Sequence, residues 1–126
     1  MMSGAIKLLL IKFCKMIKIE SPTSIQSFLE ITKSNKAVCF YLSTPECNTC
    51  KVLKPKVIEI LKDNFPQIHF CYVDLNEAKE IGGQLSVFSV PTILVYFVGK
   101  ETIRVSRNVH LDELREQMDR YYKMIF

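Results

Sequence analysis

The chain has 126 residues, 48% of them apolar, which suffices for one hydrophobic core and excludes a second domain of ordinary size. Its net charge is +4, but three lysines precede Met16, so residues 16–126 carry 17 − 3 = 14 basic against 13 acidic side chains. Bases also alternate with acids near the C-terminus, which argues against a basic face that binds nucleic acid.

Residues 1–15 are interpreted as an N-terminal extension. The apolar run Leu8–Ile11 is much shorter than a signal-peptide core or a membrane span, and no small-residue cleavage site follows it. On a helical wheel the lysines of residues 5–18 share one sector, as in helices that lie on a membrane surface. We favour simpler alternatives over membrane contact: a helix packed on the domain or on a second copy, or an untranslated segment before a start at Met16. The pattern leaves monomer and dimer open.

Residues 16–126 are predicted to form one domain that begins with a strand, a helix and a second strand. Met16–Glu20 alternates like a short strand, and Thr23 and Gln26 have the spacing of a capping box at a helix start. Ala37–Leu42 is a continuous apolar run, which is typical of a strand buried on both faces.

The next helix is predicted from about Thr49 to Asn64, because apolar residues recur there at intervals of three and four. It carries Pro55 in its interior. Proline removes a backbone donor and clashes with the preceding turn, so we expect a kink near residues 51–55. Ile68–Val73 is then a further buried strand.

The last third of the chain contains a short helix, a hairpin and an amphipathic helix. The predicted elements are a weak helix over 78–85, a strand over 92–98, a turn at Gly99–Lys100, a strand over 101–106 and a helix over 111–125. The order βαβαβαββα predicts an α/β fold with a mixed central sheet and helices on both faces. Alternating β and α units are expected to give parallel strands, and the last two strands an antiparallel hairpin.

Cys47 and Cys50 are the residues most suited to chemistry, because they lie between a buried strand and a helix start. A thiol at a helix N-terminus is stabilised as thiolate by the exposed N–H groups and the helix dipole. Cys47 is therefore the candidate nucleophile. Cys50, one turn later, is placed to attack a mixed disulfide on Cys47 and release the substrate.

A structural zinc site is the main alternative for this pair. Zinc usually needs four ligands, and the two histidines, His69 and His110, are isolated from the pair in sequence, so we predict no metal site. The histidines are not proposed as catalytic bases either. Cys39 and Cys71 lie within apolar runs, which is typical of structural cysteines, and Cys14 is left open.

Over residues 16–122 the chain resembles the thioredoxin family. The shared features are the buried strand before Cys47, the Cys-x-x-Cys-Lys motif ending at Lys51, Pro55, the Tyr-Val-Asp sequence over 72–74, Val90-Pro91-Thr92, and Gly99 at the hairpin turn.

The resemblance implies the thioredoxin fold and thiol-disulfide oxidoreductase activity. The implied substrates are protein disulfides, a separate reductase would recycle the protein, and no cofactor is expected beyond the redox-active pair Cys47–Cys50. It also implies a cis bond between Val90 and Pro91. The Val90 backbone would pair with an extended substrate segment beside Cys47.

The chain departs from the family at several positions around the cysteine pair. Glu46 replaces the usual tryptophan, Asn48 and Thr49 replace Gly-Pro, and Tyr41 stands where a buried aspartate is usual. That aspartate can accept the proton of the second cysteine, so Tyr41 puts the rate of resolution in question, and it is expected to pack in the core. Arg107 also stands where a glycine is usual.

The charges nearest the pair act in opposite directions. The negative charge of Glu46 opposes a thiolate on Cys47, whereas Lys51 and the helix terminus favour it.

Three functions are compatible with these features. The first is a cytoplasmic protein disulfide reductase, which the lack of a secretion signal favours. The second is an extracytoplasmic thiol oxidase or isomerase. The third is a non-catalytic adaptor with the same fold, which binds partners through the surface of Pro91 and Cys47.

Overall fold

The computed structural model describes residues 19–126 of the chain. Its elements are α1 (Ile25–Ser34), β1 (Ala37–Ser43), α2 (Asn48–Asn64), β2 (His69–Asp74), α3 (Lys79–Gln84), β3 (Thr92–Phe97), β4 (Lys100–Ser106) and α4 (Leu111–Ile125). These bounds agree with the predicted elements within two residues. None of the described helices is long and apolar enough to cross a membrane.

The central sheet is mixed, as predicted, with the strand order β2-β1-β3-β4. β1 is parallel to β2, while β3 is antiparallel to both β1 and β4. The expectation that every alternating unit gives a parallel strand is therefore wrong for β3. The connecting helix α3 has six residues and is about 9 Å long, too short to return the chain along a strand of about 20 Å. β3 consequently starts at the end of the sheet where β2 finishes.

This reversal brings two loops together. Thr92, the first residue of β3, pairs with Leu42 near the end of β1. The loop that precedes β3 and the loop that follows β1 therefore meet at the same end of the sheet. These loops contain the Val90–Pro91 segment and the cysteine pair, respectively.

The N-terminal strand predicted over 16–20 lies mostly outside the described residues. Its last residue, Glu20, forms a parallel bridge with Cys71, and its carbonyl accepts a hydrogen bond from Tyr72 N at 3.0 Å. The capping prediction at Thr23 is wrong by one residue. Ser24 is the N-cap of α1, and its side chain accepts a hydrogen bond from Ser27 N at 3.1 Å. The predicted extension over 1–15 and Cys14 also fall outside the described residues.

Two apolar cores fill the two faces of the sheet, because successive strand residues point to opposite sides. The core on the α2 and α4 side includes Cys39, Tyr41, Cys50, Leu61, Leu114 and Met118. The core on the α1 and α3 side includes Phe28, Phe40, Cys71, Val73, Ile81 and Leu94. Cys39 and Cys71 are buried free thiols on opposite faces, in agreement with a structural role.

The β3–β4 turn lies one residue earlier than predicted. Lys100 already pairs with Phe97, so Val98 and Gly99 are the two turn residues, with φ of 53° and 76°. Positive φ at both positions is the geometry of a tight hairpin turn, and it is strained for a β-branched residue such as Val98.

We predict that Val98→Asn raises the free energy of unfolding by about 0.5–1 kcal/mol, because asparagine tolerates positive φ better than valine does. Urea denaturation measures the change. Val52→Asn is a matched control, since Val52 is 61% exposed against 63% for Val98 but lies in a helix. Equal effects of the two substitutions would contradict strain at Val98.

Candidate active site

The cysteine pair occupies the first turn of α2. Cys47 is the N-cap of this helix, and its sulfur accepts a hydrogen bond from Cys50 N at 3.2 Å. The two cysteines form a disulfide with their Cα atoms 5.3 Å apart. Cys50 is only 2% exposed, whereas Cys47 is partly exposed. One sulfur therefore faces the solvent and the helix N-terminus, and the other faces the core.

Tyr41 lies directly beneath the pair. It is fully buried in β1, and its hydroxyl donates a 2.6 Å hydrogen bond to the carbonyl of Cys50. Burial, with a smaller effect of the Tyr72 hydroxyl, raises the pKa of Tyr41 to about 12. Tyr41 therefore stays protonated near neutral pH and cannot accept the proton of Cys50. The expectation that Tyr41 packs in the core agrees with this position.

Tyr72 is a second aromatic residue of this site that sequence reasoning missed. Its ring stacks on Tyr41 with 6.4 Å between centroids, and its hydroxyl accepts a hydrogen bond from Ser43 at 3.0 Å. The Lys54 ammonium lies 4.2 Å above the Tyr72 ring. The pairing of β1 with β2 places the two tyrosines side by side, and only the register shows this.

Among residues 19–126 no carboxylate is buried in this region. The buried polar side chains are Thr32, Ser43 and Thr92, and none of them is acidic. The proton-accepting group that the family resemblance would place under Cys50 is therefore absent from the described part of the chain.

Glu46 is fixed beside the cysteine pair by a residue that sequence reasoning also missed. The side-chain amide of Asn76 donates to both carboxylate oxygens of Glu46, at 3.1 and 3.0 Å. Asn76 is itself held by Asp74, which accepts from its backbone N–H at 2.9 Å. Hydrogen bonds from the Glu46 backbone and from Asn76 lower the pKa of Glu46, with a smaller effect of Lys51. The carboxylate is thus a fixed negative charge next to Cys47.

The Val90–Pro91 segment faces the same site. The peptide bond between these residues is cis, and Val90 packs against the core that contains Cys50 and borders Cys47. Arg107 N donates to the Pro91 carbonyl at 2.9 Å. Arg107 adopts a φ of 61° at the position where the family resemblance would place a glycine.

The structure brings most of the predicted site residues together. Tyr41, Cys47, Cys50 and Val90 share one cluster, and Pro91 follows Val90 directly. Asn48, Thr49 and Lys51 lie exposed in the first turn of α2, without a packing role. His110 is the N-cap of α4. His69 interacts with Glu20, outside this site.

Comparisons with known proteins show which proteins this chain is similar to. The family model described as Thioredoxin matches residues 14–120. The Bacillus subtilis protein named thioredoxin-like protein YdfQ is 32% identical over 110 residues, which cover 87% of this chain and 95% of that protein. Arabidopsis thaliana thioredoxin H2 is 28% identical over 93 residues, which cover 74% of this chain and 68% of that protein. The crystal structure of thioredoxin from Trypanosoma brucei brucei superimposes with a TM-score of 0.74 at 22% identity, covering 84% of this chain and 92% of that one.

We predict that Glu46→Gln speeds alkylation of Cys47 by iodoacetamide about two- to threefold near neutral pH in the reduced protein. Removing the fixed negative charge of the neighbouring residue stabilises the thiolate, because the carboxylate opposes the charge on the Cys47 sulfur. The alkylation rate measured against pH gives the effect.

Glu59→Gln is the matched control for this measurement, because Glu59 is exposed in the same helix, about 18 Å further along its axis. If Glu46→Gln left the rate unchanged, Glu46 would have no electrostatic influence on Cys47.

Proposed function

This chain belongs to the thioredoxin family and is a thiol-disulfide oxidoreductase, and from that premise we propose that it is a cytoplasmic protein disulfide reductase. In this proposal Cys47 is the nucleophile and Cys50 is the resolving cysteine. The observation that carries it is the difference in exposure between the two sulfurs at the helix start. A large substrate can reach the partly exposed Cys47, but it cannot reach Cys50, which is 2% exposed.

Reduction proceeds in two exchange steps. The Cys47 thiolate attacks one sulfur of the substrate disulfide, the substrate S–S bond breaks, and its other sulfur leaves as a thiolate that takes up a proton. Cys50 then loses its proton and attacks the Cys47 sulfur. The mixed disulfide breaks, the second substrate sulfur leaves, and the Cys47–Cys50 disulfide remains. The substrate has gained two electrons, which a partner reductase later returns to this protein.

Within residues 19–126 the second step has no buried carboxylate base, since Tyr41 is a neutral donor at this position. The proton of Cys50 passes to water or to the departing substrate thiolate. Resolution is therefore the step at which this protein differs from family members that carry the buried acid, and its rate rises with pH until Cys50 is ionised.

Substrate recognition is assigned to the Val90–Pro91 segment. A loop backbone beside the nucleophile suits pairing with an extended peptide, which reads main chain more than sequence. Phe88, two residues before Val90, is 86% exposed and adds apolar surface to this loop. Both features favour unfolded or extended protein segments as substrates.

A non-catalytic adaptor is the second candidate, because Tyr41 replaces the usual acid and could leave the pair inactive. An oxidase or isomerase that acts outside the cytosol is the third. The reductase and the adaptor differ in whether the cysteine pair turns over. The reductase and the oxidase or isomerase differ in reduction potential.

We predict that the protein accelerates the reduction of insulin by dithiothreitol, and that its reduction potential against glutathione lies below about −200 mV. Cys47→Ser abolishes the acceleration. Cys50→Ser instead accumulates mixed disulfides with substrates on Cys47, because the resolving thiol is missing. A potential near −120 mV would refute the reductase, and no acceleration with both thiols free would favour the adaptor.

We predict that Tyr41→Phe lowers the free energy of unfolding by about 1–3 kcal/mol, because it leaves the buried carbonyl of Cys50 without its donor. The pH profile of insulin reduction keeps its shape, since Tyr41 takes no proton. Tyr72→Phe is the control, as its hydroxyl accepts a partly buried bond from Ser43 and its loss costs less. A changed pH profile in Tyr41→Phe alone would make Tyr41 a participant in proton transfer.

A further inference from the structure

Three different donor groups meet at the edge of the sheet, on the face opposite the cysteine pair. The Glu20 carboxylate lies 2.7 Å from His69 Nε2, and Cys71 follows His69 by two residues on the same face of β2. One donor atom from each of the three residues lies within 4.8 Å of the other two. The bridge between Glu20 and Cys71 fixes this meeting, because directly paired residues on neighbouring strands place their side chains on the same face.

The sequence alone predicts no metal site, but from this cluster we propose that Glu20, His69 and Cys71 form a zinc-binding site, with a water molecule as the fourth ligand. A sulfur, an imidazole nitrogen and a carboxylate oxygen are the ligand types that zinc takes in proteins. Magnesium and calcium prefer sets made of oxygen alone, so the thiol and the imidazole select against them. Three protein ligands and one water are the pattern of a zinc site open on one side.

The spacing of the donors fits a tetrahedral ion after a small movement. Zinc bonds of about 2.0–2.3 Å place tetrahedral ligands about 3.3–3.6 Å apart. Glu20 and His69 are closer than this, at 2.7 Å, because a hydrogen now lies between them. Their side chains are 53% and 30% exposed and can rotate apart, whereas Cys71 is fully buried and supplies a fixed sulfur.

The ion can reach this site from the surface. Glu20 also lines an open groove together with Ser21, Glu30 and Asn35. The groove borders the candidate site at Glu20. A second carboxylate, that of Glu30, adds negative charge to the same groove.

Binding replaces protons by the metal. The Cys71 thiol and Zn²⁺ give a zinc-bound thiolate and one released proton. Burial first, and then the charge of Glu20, raises the pKa of Cys71 to about 12, so the metal takes the place of a thiol proton. No redox step is involved.

The proposal is tested with Co²⁺ as a spectroscopic substitute for Zn²⁺ in the full chain. The protein is kept oxidised, so that the Cys47–Cys50 disulfide binds no metal, and it carries Cys14→Ser, so that only Cys39 and Cys71 are free thiols. We predict one Co²⁺ per chain with a thiolate-to-metal charge-transfer band, which excess Zn²⁺ removes.

Matched variants identify the ligands. Cys71→Ser abolishes the charge-transfer band, while His69→Gln and Glu20→Gln weaken Co²⁺ affinity at least about tenfold. Cys39→Ser is the control, because Cys39 is an equally buried thiol on the other face of the sheet. Binding that survives both Cys71→Ser and His69→Gln, or no thiolate band in the parent protein, would overturn the proposal.

Stability provides a second measurement, which holds even if Cys71→Ser fails to fold. Zn²⁺ raises the melting temperature of the oxidised parent protein, because an ion that binds only the folded state stabilises it. The same addition raises the melting temperature of His69→Gln by less, and this variant folds because His69 is partly exposed. An equal rise in both proteins would show that zinc binds elsewhere and that Glu20 and His69 form only a hydrogen-bonded pair.

Discussion

The backbone of Cys50 is held from both sides, and the arrangement of the active site follows from this constraint. Its N–H donates to the Cys47 sulfur at 3.2 Å, and its carbonyl accepts from the Tyr41 hydroxyl at 2.6 Å. The first bond makes Cys47 the cap of α2 and keeps its sulfur at the surface. The second joins the first turn of α2 to the middle of β1. With both groups fixed, the two sulfurs keep different exposures, which is the basis for assigning one to attack and the other to resolution.

Tyr41, beneath the cysteine pair, avoids the desolvation cost of a buried aspartate but lacks the ability of an aspartate to accept a proton. A buried aspartate at position 41 would be a charged group out of water, which is costly to desolvate but able to accept a proton. The neutral Tyr41 hydroxyl has no such penalty, and the Cys50 carbonyl satisfies it. Tyr72 and Lys54 extend the contact along β2 and α2. The region is therefore stabilised by stacking and neutral hydrogen bonds, and the proton of Cys50 has to leave by another route.

The sequence was sufficient for those features that arise from local patterns. The period of apolar residues predicts α2 and α4, continuous apolar runs predict β1 and β2, and two cysteines three residues apart identify the reactive pair. The family resemblance singled out Tyr41 and Val90, and the mixed sheet is confirmed. Contacts between distant residues could not be predicted in this way. Asn76 reaches Glu46 across 30 residues, and Glu20 reaches His69 across 49, so no spacing in the sequence signals either pair.

The direction of β3 shows why the sheet topology is harder to predict from sequence than the helices and strands themselves. The pattern of strands and helices is the same whether β3 runs parallel or antiparallel to β1, and the difference depends on the length of α3 relative to a strand. The active site depends directly on the direction of β3. A parallel β3 would begin at the opposite end of the sheet, with Val90 and Pro91 far from Cys47.

The fold also separates reactive thiols from inert ones by position. Burial raises the pKa of both Cys39 and Cys71, so these thiols stay protonated and take no part in exchange near neutral pH. Cys47 instead lies at a helix N-terminus, where the N–H groups favour a thiolate. The sheet stands between Cys71 and the reactive pair, since the two belong to different cores. A cation bound at Cys71 would therefore change that thiol without access to the redox chemistry, and the two sites can act independently in one small domain.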